Sequence, residues 1–151
     1  MKTPALALAL VTGLAAALPA AAQFQKPEDA TKYRQSTMFV MANHFGRIGA
    51  MVNNRAPYDA AAATANAELV VTMSRLHPTG FVEGTAGTQK GQANAAIWTK
   101  RAEFDTGMKA MQDEVGKLLT ASRANNLDTL KAAFGEAAKA CKACHDKFRN
   151  Q

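Results

Sequence analysis

The chain is expected to fold as an all-α, antiparallel four-helix bundle, and three observations carry that expectation. Apolar residues recur at steps of three and four along most of the length. Four such stretches are separated by short runs rich in Asn, Pro and Gly. No segment alternates apolar and polar residues at the period of two that a half-buried strand requires, so helices must bury their stripes against one another.

The first helix opens at Pro27-Glu28-Asp29, where proline suits the first turn and the two acids suit the positive end of the helix. Its stripe runs through Tyr33, Thr37, Met38, Met41, Phe45, Ile48 and Val52, and Asn53-Asn54-Arg55-Ala56-Pro57 ends it. A second, Ala-rich helix begins with Asp59 as its cap and ends near Leu76-His77-Pro78. Thr79 to Gly91 reads as an irregular loop, marked by Gly80, Gly84, Gly87 and Gly91. The third helix carries Ile97, Phe104, Met108, Met111, Val115 and Leu118, with its stripe interrupted at Arg101. The fourth follows Asn125-Asn126-Leu127, with Asp128 expected to cap it.

Fold and chemistry meet on that last helix. Its apolar positions step as Leu127, Leu130, Phe134, Ala137, Cys141, Cys144 and Phe148, which puts both thiols on the inward stripe. Cys141-Lys142-Ala143-Cys144-His145 is a CxxCH pentapeptide, the spacing of a c-type haem attachment site. Two thiols add to the two vinyl groups of the porphyrin, and the histidine next to the second thiol reaches the iron. These are the chain's only two cysteines, which leaves no disulfide framework. A zinc site would need a second ligand pair that His44 and His77 do not obviously supply. A thioredoxin-like redox pair stays open but calls for a βαβ context absent here. Small residues Gly135, Ala137, Ala138, Ala140 and Ala143 leave room for a flat cofactor.

The N-terminus is consistent with that chemistry. Lys2, the apolar run Ala5 to Val11 and the Ala20-Ala21-Ala22 end read as a signal peptide over residues 1–22, with the mature domain spanning 23–151. That apolar run is too short for a comfortable membrane span, and nothing later exceeds it. Because c-type haem is attached after export in bacteria, the expected compartment is the periplasm. The chain holds 18 Lys and Arg against 12 Asp and Glu, and setting aside Lys2 leaves 17 against 12. The basic residues are interleaved with acids, which argues against nucleic acid as a partner. The mild positive charge is that of a solvated surface, or it steers an acidic redox partner.

The whole mature chain resembles cytochrome c′, the class II c-type cytochromes. The likeness rests on Gln23-Phe24-Gln25-Lys26-Pro27-Glu28-Asp29-Ala30, Tyr33-Arg34-Gln35-Ser36, His44-Phe45-Gly46-Arg47, Ala56-Pro57-Tyr58-Asp59, Ile97-Trp98 and Cys141 to Arg149. It implies one covalent haem c on Cys141 and Cys144, with His145 as axial iron ligand and a five-coordinate iron. It also implies Met38 over the open face, Arg34 at a haem propionate, Gln35 as a polar contact and Arg149 shielding the proximal face. Gln92 corresponds to a loop position that touches haem in relatives and is often acidic there.

Met38 has two readings. Its thioether either fills the apolar distal pocket, the reading adopted, or ligates iron to give a low-spin electron carrier. Met41, Met51, Met73, Met108 and Met111 read as core, Trp98 as a packing anchor, and His44 and His77 as ordinary surface or helix-end residues. The expected function is binding of NO and CO at a vacant iron site, with electron transfer to a periplasmic partner as a further role. No His or Arg is placed to assist O–O cleavage, so no enzyme is expected. Homodimerisation is common in the family, and His44, Phe45 and Ile48 of the first helix are the expected contact.

Overall fold

The computed structural model describes residues 23–151, and the signal-peptide segment 1–22 lies outside the described residues. Five α-helices account for the fold: α1 (Pro27–Val52), α2 (Ala60–Leu76), α3 (Ala96–Thr99), α4 (Arg101–Ser122) and α5 (Leu127–Phe148). The one-turn α3 sits at the head of α4, so four long helices form the bundle, and no β-strand occurs among the described residues.

Each boundary has a local cause. Pro27 occupies the first turn of α1 with Glu28 and Asp29 beside it. Past Val52 the chain turns back through Asn54 at φ 57°, a left-handed conformation that asparagine tolerates, while the Arg55 N–H closes onto Ala50 O at 2.8 Å. Asp59 caps α2 by accepting from the Ala62 N–H at 2.9 Å. The 3₁₀ turn His77–Gly80 ends that helix.

Two expectations change. The third helix is broken at Lys100, whose φ of −124° and ψ of 45° lie outside the helical region, so the interruption of the stripe at Arg101 is a real backbone break. Asn126, not Asp128, caps α5: its extended backbone lets the side-chain oxygen accept from the Thr129 N–H at 2.9 Å. Asp128 sits inside the first turn, where its charge meets the helix dipole instead.

The packing follows antiparallel neighbours: α1 lies against α2, α4 against α5, and α2 against α4. Phe104, Ile48, Ile97, Leu118, Leu130, Val52, Val70 and Val115 fill the centre. Where α1 crosses α5, Gly49 faces the Phe134 ring, which stacks on Phe45 with centroids 4.3 Å apart. Of the three residues expected at a dimer contact, Ile48 is not available and the other two are partly engaged within the bundle. Ile48 is fully buried, Phe45 is occupied by Phe134, and the half-buried His44 pairs with Asn66 Oδ1 at 2.7 Å. Among the described residues, the exposed large apolar side chains are Phe39, Leu69 and Leu76.

At the open end, the chain's last residues bind the loop that precedes α3. Gly91 N–H donates to Asn150 O, Asn150 N–H to Gln92 O (both 2.8 Å), and Asn94 N–H to Phe148 O at 3.0 Å. This short antiparallel bridge, centred on Ala93 and Arg149, pins the loop to the end of α5.

Candidate haem site

Between α1, α4, α5 and the pinned loop lies a cavity of about 350 Å³. One wall is α5, which contributes Cys141, Cys144, His145, Phe148 and Arg149. Residues three and four apart share a helix face, so the pentapeptide spacing delivers both thiols and the imidazole to one side. The facing wall is α1, with Arg34, Gln35, Met38, Phe39, Met41 and Ala42. Phe104, Met108 and Met111 of α4 close the interior, and His77, Phe81 and Gln92 come from the loop side.

The donor set fits a large apolar cofactor held through sulfur and one nitrogen. Both cysteines are free, and burial pushes their thiols up, so they stand as neutral thiols. His145 is held below its ordinary value by burial and then by the Arg149 charge, partly offset by Asp146. It is thus a neutral imidazole, the form that ligates a metal. The rest of the lining is mainly thioether and aromatic.

All eight residues singled out from the sequence, Arg34, Gln35, Met38, Gln92, Cys141, Cys144, His145 and Arg149, line this one cavity. Two carry further commitments. Arg34 is only 5% exposed, and its guanidinium donates to Gly80 O (3.2 Å), Thr85 Oγ1 (2.5 Å) and Thr85 O (2.5 Å). It clamps the loop to α1 and also lies over the Phe81 ring, 5.2 Å from its centroid. Gln92 folds over Gly87 and accepts from the Gln89 N–H at 3.0 Å.

Sequence reasoning missed His77. Read as an ordinary helix-end residue, it is 4% exposed and lines the cavity, with Nδ1 3.2 Å from Arg34 O and 3.4 Å from Thr37 Oγ1. Its ring meets Phe81 edge-on, and Phe81, Phe104 and Phe148 continue as a chain of edge contacts along the cavity. Met41, Met108 and Met111 were expected in the core and are buried there, yet they face the cavity as well.

A four-helix bundle whose last helix presents a CxxCH motif to an interior cavity has the architecture of a class II c-type cytochrome. Comparison with known proteins agrees. The cytochrome c′ family profile matches residues 29–149. Cytochrome c′ of Alcaligenes xylosoxydans is 48% identical, over 85% of this chain and 99% of that protein. Cytochrome c′ of Rubrivivax gelatinosus is 43% identical, over 85% of this chain and 100% of the relative. The latter's crystal structure superposes with a TM-score of 0.79 at 44% identity, covering 85% of this chain and 100% of that one. A nitric oxide complex of a leucine-to-alanine variant of the Alcaligenes xylosoxidans protein also scores 0.79, at 46% identity, covering 85% and 99%. The chain belongs to the cytochrome c′ family. The family's cofactor is covalent haem c with its iron.

Proposed function

We propose that residues 1–22 direct export and that the domain from about Gln23 is a periplasmic mono-haem cytochrome binding NO and CO. In this reading Cys141 and Cys144 carry the thioether bonds, and His145 is the axial ligand. Arg149, at the end of α5, covers the proximal side. The observation that carries the proposal is the shared cavity: two thiols and a neutral imidazole on one wall, with Met38 and an apolar surface on the other. Bound haem supplies an Fe(II) centre with a vacant coordination position for a diatomic ligand.

The chain's own residues set the selectivity. Met38, Met41, Phe104, Met108 and Met111 offer no hydrogen-bond donor and the Arg34 donors face the loop, so the Gln35 amide is the donor left on the α1 wall beside a mainly apolar lining. A ligand that needs a donor to stabilise developing negative charge, such as dioxygen, is disfavoured against NO and CO. In this reading the role is ligand binding, together with electron exchange with a periplasmic partner. A relative named cytochrome c′ solved with NO bound supports the choice of ligand. A homodimer is part of the proposal, with exposed Phe39, Leu69 and Leu76 as the apolar side chains on offer.

Mass spectrometry of protein matured in a haem-attaching periplasm tests the attachment. The expected species is a chain starting near Gln23 plus one haem on the Cys141–His145 peptide. A mass equal to the bare chain would refute it.

A further inference from the structure

His77 is a buried polar side chain with half of its hydrogen-bonding capacity unspent. Its Nδ1 lies 3.2 Å from the Arg34 carbonyl oxygen, which can only accept, and 3.4 Å from the Thr37 hydroxyl; the shorter contact assigns the proton to Nδ1. In the neutral imidazole this leaves Nε2 as a lone-pair acceptor. Nε2 has no hydrogen-bond partner among the described residues, nor is it one of the sealed, unpartnered polar atoms, which are Tyr58 Oη and Trp98 Nε1. Nε2 is thus not sealed off, and the ring that carries it lines the cavity. Burial beside the Arg34 charge keeps the ring neutral in the polypeptide, at a pKa of about 4.

The groups around it define what it can accept. Arg34 of α1 is the charged side chain acting on His77 and disfavours a second positive charge, while His145 of α5, itself neutral, is the other titratable group near it. Phe81 of the loop packs against the ring and carries none. No carboxylate of the described residues acts on it. An acceptor in an apolar cavity needs a donor from whatever fills the cavity. On a porphyrin, the peripheral polar groups are its carboxyls. An imidazole and a carboxyl facing one another hold a single proton between them, on nitrogen or on oxygen.

We propose that His77 Nε2 shares one proton with a carboxyl group of the bound haem, so that reduction of the cofactor is coupled to proton uptake at this imidazole. The inference rests on the haem reading above. The balance is simple: a one-electron donor adds an electron to the cofactor, and water supplies one proton to the imidazole–carboxyl pair. No other bond forms or breaks. The added electron makes the cavity more negative by one charge, which favours the protonated pair. The proton is therefore held more tightly in the reduced state, and the reduction potential rises as pH falls. With one proton per electron the slope approaches about 59 mV per pH unit, the one-electron equivalent of a tenfold change.

The experiment is potentiometric titration of the purified, haem-loaded protein across the acid-to-neutral range, in wild type and in His77→Asn. Asparagine keeps an amide N–H for the Arg34 carbonyl but cannot titrate. The expected result is a pH-dependent segment in wild type that is lost in the variant. A flat wild-type profile, or the same segment in both proteins, would overturn the proposal. NMR titration of the His77 ring in the wild type gives a second reading that does not depend on the variant folding. The ring should titrate at higher pH in the ferrous than in the ferric protein, and equal values overturn the proposal. A chain shown by mass to lack haem would instead count against the cofactor reading.

Discussion

At Gly80 the loop packs tightly against α1, and adding one methyl there has a calculable effect. A Cβ at Gly80 would sit 2.6 Å from Arg34 Cβ, 2.9 Å from Ala30 O and 3.0 Å from Arg34 N. These atoms belong to the helix backbone or to the root of a side chain, so none can swing aside. The loop would have to move outward, stretching the 3.2 Å bond from the buried Arg34 guanidinium to Gly80 O. Overpacking of this kind costs about 1–3 kcal/mol, and a hydrogen bond to a charged group is worth about 1.5–3 kcal/mol. Because both losses come from one displacement they are not additive, and Gly80→Ala should lose about 3 kcal/mol. At about 4 °C per kcal/mol for a domain of this size, the melting temperature should fall by about 12 °C. Gly46→Ala is the control: nothing lies within 4 Å of its would-be Cβ, and the site is exposed within α1. It should gain about 0.5–1 kcal/mol from the lower chain entropy of alanine. Thermal unfolding of the two variants followed by circular dichroism checks both. A Gly80→Ala protein that melts with wild type would refute the claim that the loop is clamped this tightly.

Further expectations follow from single contacts. Asn126→Ala should cost about 1 kcal/mol in denaturant unfolding by leaving the Thr129 N–H uncapped, and more than Asp128→Ala; the reverse order would restore Asp128 as the cap. Met38→Ala should keep the ferrous spectrum high-spin while speeding CO and NO association in stopped flow, because a blocking side chain is removed without change of coordination. Unchanged association rates would mean that Met38 does not obstruct the site. Cys144→Ala should leave at most one thioether, so that mild chemical cleavage of that bond releases haem from the variant; a variant with both bonds intact would place the second anchor elsewhere.

Much of the scaffold was legible because its signals are local. Pro27, the Asp59 cap and the inward stripe of α5 all act within a turn or two, and each is found where the sequence puts it. Asn126 and Asp128 are both good capping residues two positions apart, and only the extended backbone at Asn126 separates them. Bringing the eight candidate residues to one cavity was readable from helix periodicity joined to family likeness. What stayed hidden depends on contacts between distant segments. Arg34 as a loop clamp needs Gly80 and Thr85, and the pinned loop needs Asn150 against Gln92. His77 shows no periodic signature, since its burial comes from the 3₁₀ turn folding back onto α1. Phe45 and Ile48 lie on the stripe of α1, and that stripe is used up inside the bundle.

Ligand binding by this protein requires a haem whose iron is open on the Met38 side. The optical spectrum of the purified ferrous protein, recorded before and after addition of NO, tests this most directly. A broad high-spin Soret band that shifts on NO addition is the result expected. A sharp low-spin α-band before any ligand is added would contradict it, placing a sixth ligand such as Met38 on the iron and making electron transfer the function.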